Sequence, residues 1–444
     1  MRIPRCVVTA IVLLLAFPLF AACPAAAQTD AGPLARRVRE IVARFAAEPA
    51  TPDTLFHPDF LAQIPTAQLT GIFQQFHAQA GAVVRTVQTS SRGADYGEYR
   101  FETEKGMSFP AKVGIEPGAP YRIHMLWFGL PQSMTITPGE IIGKLKALHG
   151  RTSLAVFRLD GAAPRLLHGL EPDAPLAIGS TFKLYVLGAL AQEAAAGRMP
   201  WERVIRLEDG QKSLPSGVLQ SWPAGTPLTV QALASEMISI SDNTASDHLL
   251  HLLGRPAVEA VQKTMGHATP ERNVPFLATR EMFQLKEKGH GERMSAYLAR
   301  DVAGRRAYLD DRLSRMEPTE LAGFELLTPV AVDRIEWFAS TADLCRAMDW
   351  LRARTQGEAN RRAAPARAIL AINPGVELDR KAWTYAGYKG GGEPGVLNMT
   401  WLLGRRDGAW FAVSAGWNDE AKTVDTAELA TLMQSLIGLL ATAD

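Results

Sequence analysis

The chain has 444 residues, a formal net charge of +1, and a composition that is 47% hydrophobic and 21% charged. That length exceeds one ordinary domain and allows two with real cores. The charge balance gives no support to a nucleic-acid partner, and no low-complexity tract or internal repeat is visible.

The chain opens on a targeting segment. Arg2 and Arg5 form a basic stretch, Cys6 to Leu19 is apolar except for Thr9 and Pro18, and Ala25-Ala26-Ala27 offers a small-residue cleavage site before Gln28. Residues 1–27 therefore read as a signal peptide, and the mature protein as periplasmic or secreted. The apolar run is too short for a comfortable bilayer span, so no transmembrane span is expected in the mature chain. The alternative is a lipid anchor at Cys23, since Phe20-Ala21-Ala22-Cys23 loosely resembles a bacterial lipobox. Cys345 is the only cysteine beyond the leader, which rules out an intramolecular disulfide there. It lies in an apolar helical stretch and reads as a small core residue.

Residues 32–130 form a first unit of the α+β class. Leu34 to Ala47 and Thr66 to Ala78 have helical periodicity. Four strand-like runs follow at Ala82–Thr89, Tyr96–Glu102, Ser108–Ile115 and Tyr121–Phe128, separated by Gly- or Pro-containing turns. Helices first and antiparallel strands after resemble the cone-shaped NTF2-like or steroid-isomerase-like fold. Such a cone often encloses a pocket, which Tyr121, Trp127 and Phe128 would line unless they are plain core. No catalysis is expected in this unit.

A connector at 131–137 leads into a second unit, 138–444. Ser153–Leu159 and Pro164–His168 read as a hairpin turning at Asp160-Gly161. Thr181 to Ala195 is a strongly apolar helix, and a mostly helical section follows it. Thr384–Lys389, Asn398–Leu403 and Ala409–Ala415 are strands, and Ala427 to Ala441 is a closing amphipathic helix. Strands at both ends with helices between imply a sheet whose first and last strands meet.

Three short motifs in this unit carry chemistry. Ser180-Thr181-Phe182-Lys183 puts an amine three residues from a hydroxyl, on one helix face. Apolar neighbours lower the lysine pKa and make it a base. The helix start supplies N–H groups for negative charge. Alone, S-x-x-K arises about once by chance in a chain this long. It is followed by Ser241-Asp242-Asn243, where Ser241 can shuttle a proton and Asn243 can bind an amide, while Asp242 braces the loop. Lys389-Gly390-Gly391-Gly392 then stands where a K-[ST]-G would complete the set.

IGSTFKLYVLGAL followed by SDNTASDHLL resembles the catalytic domain of class A β-lactamases, in the β-lactamase and penicillin-binding-protein superfamily. The fold this implies for 138–444 is a β-lactamase-like α/β sandwich, with an antiparallel sheet, helices on both sides and an all-helical subdomain. The whole chain resembles two-domain serine hydrolases typified by a clavulanic-acid-pathway protein with an isomerase-like front half. The resemblance implies an acyl-enzyme, with Ser180 as nucleophile, Lys183 as its base and Ser241 as proton relay. It further implies Asn243 on the substrate amide, Lys389 facing the nucleophile, and Gly391 and Gly392 at the substrate edge. The oxyanion donors would be the N–H groups of Ser180 and Gly392. The substrate would be a small molecule, a β-lactam or related ester.

Three departures qualify it. Gly390 replaces a Ser or Thr that helps hold the substrate carboxylate, which should weaken recognition of penicillin-like acids. No E-x-x-L-N deacylation segment is present, and Glu281 is the only nearby carboxylate in a comparable place. The stretch from Lys286 to Trp337 is longer than a compact domain needs and reads as a lid or a solvated helical decoration. Two functions stay open: a serine hydrolase, or an acylable penicillin-binding or sensor protein of slow turnover with ligand captured by the first unit. No cofactor and no metal is expected, since His248 and His251 form an i,i+3 pair without a third ligand.

Overall fold

The first unit is held by helices that precede the sheet they cover. The computed structural model describes residues 32–45, 53–133, 136–159, 161, 163–214, 216–316 and 327–442. The signal peptide at 1–27, Cys23, Asp160 of the hairpin turn and part of the connector lie outside the described residues. Helix α1 (Pro33–Val42) starts on a proline, which fits a first helical position, and buries Leu34, Val38 and Ile41 on one face. Helices α2 (Pro58–Gln63) and α3 (Thr66–Ala80) follow. Strands β1 (Val83–Arg92), β2 (Tyr96–Thr103), β3 (Met107–Ile115) and β4 (Ile123–Phe128) then form an antiparallel meander, with the short β5 (Gln132–Ser133) pairing β3. All four expected strands are present, most shifted by a few residues at their ends.

Phenylalanine rings fill the interior of this unit. Phe45 lies 5.0 Å from Phe73, 5.4 Å from Phe109 and 5.3 Å from Phe128, in tilted or edge-on geometry. Phe128 therefore belongs to the core. Its neighbour Trp127 points the other way, as alternation along a strand requires, with the Lys112 ammonium 4.7 Å above its ring. The two do not line one pocket together.

The second unit begins with α4 (Pro138–Ala147), opened by a reciprocal capping box between Thr137 and Glu140. Then come β6 (Arg151–Arg158), β7 (Arg165–Leu170), β8 (Leu176–Ala177) and α5 (Lys183–Ala195). A 3-10 turn over Gly179–Phe182 stands where the sequence predicts the helix already under way. Next are β9 (Val204–Arg206), β10 (Pro227–Thr229), α6 (Val230–Ser239), α7 (Asn243–Leu253), α8 (Arg255–Thr264), α9 (Thr279–Leu285), α10 (Gly291–Leu298) and α11 (Val302–Asp311). The chain closes with β11 (Phe338–Ala339), α12 (Thr341–Thr355), α13 (Ala364–Leu370), β12 (Trp383–Glu393), β13 (Val396–Arg405), β14 (Trp410–Asn418) and α14 (Thr426–Leu440).

The large sheet runs β12-β13-β14-β6-β7, antiparallel throughout. The last strand pairs the first, as the strand distribution predicts. Strands β13 and β14 are buried along nearly their whole length because helices cover both faces. One core packs α4 and α14 on the sheet, and the other packs α5 and the helical section against the opposite face. Cys345 is buried in that second core. The described part of the 286–337 stretch rests on the same core through Tyr297, Tyr308, Leu309 and Leu313, so this decoration has an apolar underside. Among the described residues, no helix is long and apolar enough to cross a membrane.

Phe45→Ala should cost the first unit about 3–5 kcal/mol. The measurement is urea unfolding of the full chain followed by tryptophan fluorescence, with the unfolding reported by Trp127 moving to lower denaturant.

Candidate active site

The turn bearing Ser180 is pinned from three sides. Asn418, at the end of β14, accepts from the Ala177 N–H at 2.7 Å and donates to the Ala177 carbonyl at 3.0 Å. The Ile178 N–H donates to the Trp337 carbonyl at 3.0 Å. The Trp337 ring stacks on Phe182 with centroids 3.8 Å apart. On the third side β12 presses its backbone into the turn. A Cβ at Gly391 would stand 2.1 Å from the Ile178 oxygen and 2.5 Å from the Ser180 nitrogen, so only glycine allows this approach. The same packing brings the Gly392 N–H beside Gly179, one residue from Ser180.

One turn on from Ser180, Lys183 is fully buried. Its Nζ lies 2.6 Å from the Ser241 carbonyl, 2.7 Å from Asn243 Oδ1 and 3.2 Å from Ser241 Oγ. Burial, reinforced by the charge of Lys389, holds its pKa well below the usual lysine range, and Asp247 and Asp242 only partly oppose this. A neutral amine has two N–H bonds. The carbonyl of Ser241 and the amide oxygen of Asn243 take both, and the lone pair is left for a hydroxyl proton.

Lys389, on β12, donates to Ser241 Oγ at 3.0 Å and to its neighbour's carbonyl at Gly390. The Ser241 hydroxyl therefore sits between two buried amines. Ser241 itself has φ +61°, the left-handed region that a non-glycine residue occupies only at a cost. Its surroundings impose that conformation. The Ser241 carbonyl also accepts from Ser216 Oγ at 2.6 Å. Asp242 caps α7 at the Ala245 N–H, 2.8 Å, and accepts from the Val218 and Leu219 N–H groups at 2.7 and 2.9 Å. Asp242 thus braces the loop.

Asn243 is engaged at both ends, since its Nδ2 donates to the Leu214 carbonyl at 2.9 Å. In this arrangement it orients Lys183 rather than presenting a free amide to the cleft.

Glu281 stands apart. Arg255 holds both its oxygens, at 2.7 and 3.0 Å, and the Ala278 N–H donates to Oε2 at 2.7 Å. It caps α9 and closes a buried ion pair, and no hydrogen bond joins it to the cluster of Lys183, Ser241 and Lys389. The site residues therefore divide: Ser180, Lys183, Ser241, Asn243, Lys389, Gly391 and Gly392 are brought together, and Glu281 is held elsewhere.

Several groups that support the site carry no sequence signal. Ser216 and Ser213 lie in an irregular loop, and Ser213 Oγ accepts from Thr279 Oγ1 at 2.8 Å. Asp247 caps α9 through the N–H groups of Thr279 and Arg280 at 2.7 and 2.9 Å, and burial raises its pKa to about 6. Beyond Gly392, Glu393 shares Lys286 with Glu336, whose Oε1 lies 2.9 Å from that ammonium. Burial and the Glu336 charge push Glu393 well above the usual carboxylate range.

Residues 144–306 match the model of the beta-lactamase enzyme family. That segment is beta-lactamase-like. It contains the S-x-x-K and S-D-N motifs, and β12 with Lys389 lies beyond it. Within the chain, 118 residues are 34% identical to beta-lactamase AST-1 of Nocardia asteroides, over 26% of this chain and 37% of that protein. The alignment thus spans little more than a third of the curated relative. Among solved structures, a beta-lactamase from Sphaerobacter thermophilus gives a TM-score of 0.48 at 21% identity, covering 69% of this chain and 96% of that one. An acyl-enzyme complex of PBP-A with penicillin G gives 0.47 at 15%, covering 69% and 96%.

Two outcomes follow for the beta-lactamase-like unit. Burial lowers the Lys389 pKa to about 7, against about 10.4 in an unfolded chain. Between those values the unfolded state binds more protons, so this site's contribution to stability rises with pH. Lys389→Met should therefore be more stable than the parent by about 1–3 kcal/mol near pH 7, with the gap closing towards pH 10, in urea curves at both pH values. Glu281→Ala should cost about 3–5 kcal/mol by stranding the Arg255 charge. The same denaturation experiment on the Arg255→Ala/Glu281→Ala double variant should show a smaller loss than the sum of the two.

Proposed function

We propose that the protein is a serine hydrolase that forms an acyl-enzyme at Ser180 and acts on β-lactams or related esters. The observation that carries this reading is the Ser241 hydroxyl held 3.2 and 3.0 Å from two buried amines, beside a serine on a pinned turn. In acylation the Lys183 lone pair takes the Ser180 proton as Oγ attacks the carbonyl carbon. The N–H groups of Ser180 and Gly392 stabilise the oxyanion. As the acyl C–N or C–O bond breaks, the proton passes through Ser241 to the departing nitrogen or oxygen, and Lys389 fixes that hydroxyl. Water then cleaves the ester and restores the Ser180 proton.

The slower alternative, an acylable penicillin-binding or sensor protein, draws support from one observation. The carboxylate at 281 is locked to Arg255, which leaves the second step without an evident glutamate. Ligand capture inside the first unit is disfavoured by the phenylalanine packing around Phe45. We read that unit, 32–130, as NTF2-like because three helices precede a four-stranded antiparallel meander. The remaining boundaries follow the sequence: a connector at 131–137 and the hydrolase unit at 138–444. Export rests on the leader at 1–27, with attachment at Cys23 as its alternative.

Intact-mass analysis with a chromogenic cephalosporin tests the reading. A covalent adduct should form on the parent and be absent from Ser180→Ala. An adduct that disappears as product accumulates supports a hydrolase, and one that persists supports the acylable receptor. No adduct with either a cephalosporin or an activated ester sinks both.

A further inference from the structure

The extra stretch between Lys286 and Trp337 is closed at its root by an ion pair. Lys286 Nζ lies 2.9 Å from Glu336 Oε1, across 50 positions of sequence, and both side chains are almost wholly out of water. The same ammonium donates to Glu393, the last residue of β12. Burial opposes the charge on Lys286, and the two carboxylates outweigh it and raise its pKa. Each carboxylate leads to one side of the site. Trp337, next to Glu336, accepts from the Ile178 N–H at 3.0 Å and stacks on Phe182 at 3.8 Å, and the following Phe338 pairs with Ala177. That side carries the turn of Ser180. Glu393 follows Gly392, whose nitrogen would stand 2.9 Å from a Cβ at Gly179. β12 is the edge of its sheet, so β13 holds it from one side only. Residues 390–392 are all glycine and have no side chain to anchor the strand. Positions 389, 391 and 393 share one face of β12. On that face Lys389 reaches Ser241, Gly391 meets the turn and Glu393 reaches Lys286. Glu393 is therefore the first side chain after Lys389 that can fix β12 against the turn.

Resting on the acyl-enzyme reading above, we propose that Lys286 is a positioning residue for the oxyanion hole: by holding Glu336 and Glu393 together it fixes the spacing between the N–H groups of Ser180 and Gly392. Such donors act only when they stand about 2.7–3.1 Å from the place where the oxyanion forms. A misplacement of about 1 Å can slow a reaction about 10²-fold. The ground-state carbonyl gains less from the same donors than the oxyanion does, so loosening the clamp slows acylation and leaves binding nearly unchanged. The clamp also accounts for how the site accepts the extra stretch, since the two ends of that excursion are tied together beside the oxyanion end of β12. Glu393 is the arm whose removal disturbs the fold least. Burial and the Glu336 charge push it towards its protonated form, so its loss leaves the Lys286–Glu336 pair balanced in charge.

The test is time-resolved intact mass over a range of concentrations of a chromogenic cephalosporin, or of an activated ester where only that reacts. It is run on the parent, Glu393→Ala and Glu393→Gln. In Glu393→Ala the limiting acylation rate should fall about tenfold or more, while the half-saturating concentration stays within about twofold. Glu393→Gln keeps an acceptor for Lys286 and should recover most of the rate. A limiting rate in Glu393→Ala within about threefold of the parent overturns the assignment, as does a loss carried by the half-saturating concentration or one that glutamine does not recover. Should Glu393→Ala fail to fold, Lys286→Met/Glu336→Leu decides, because apolar residues can replace a buried ion pair without loss of stability. It should show the same slow acylation, and a limiting rate within about threefold of the parent overturns the assignment. If the parent is acylated by neither the cephalosporin nor the activated ester, the acyl-enzyme reading falls and this inference falls with it. A reactive parent with unmoved variants sinks only the role of Lys286.

Discussion

Everything around the candidate site answers to one constraint: two lysines are buried around a single serine hydroxyl. Removing an ammonium from water is costly, and burial accordingly pushes both lysines towards their neutral forms. A neutral lysine is a base, so the unfavourable burial and the useful chemistry are the same fact. The demand on the scaffold is then geometric. Two N–H groups of Lys183 need acceptors, and the Ser241 carbonyl and Asn243 amide supply them. The strained backbone at Ser241 must be held, and Ser216 with the Asp242 cap holds it.

The sheet has a matching task. β12 must bring Lys389 to Ser241 and, three residues later, the Gly392 backbone to the turn bearing Ser180. That requires backbone against backbone, which Gly391 permits. It also requires the strand end to be fixed, and the Lys286, Glu336 and Glu393 cluster lies immediately beyond Gly392. Two carboxylates share one ammonium there, and burial together with the Glu336 charge pushes Glu393 towards its protonated form.

Much of this arrangement is legible in the order of the residues. The helices of the first unit show a 3.6 period and its strands fall as short runs between glycine- or proline-bearing turns, and the meeting of the first and last strands of the second follows from where the strands fall. The S-x-x-K and S-D-N motifs carry fixed spacing, so Ser180, Lys183, Ser241 and Asn243 stand out in the chain itself. What stays hidden is tertiary. Glu281 looks like a base in sequence, but its partner Arg255 sits on a preceding helix and no local pattern announces the pair. The 3-10 turn before α5 is invisible to a hydrophobic period that reads straight through it. Tyr388 reads as an ordinary strand aromatic until Gly390 is seen to make room for its ring.

Tyr388, whose ring packs on Trp401 and whose hydroxyl stands where a side chain at 390 would begin, also bears on how this strand can change over generations. A serine gained at 390 first would meet the phenol, and a small residue gained at 388 first would leave Trp401 bare on one side. Either change alone meets a packing penalty that the other would relieve. The two positions are therefore coupled through one ring, and the effect of a change at either depends on what stands at the other.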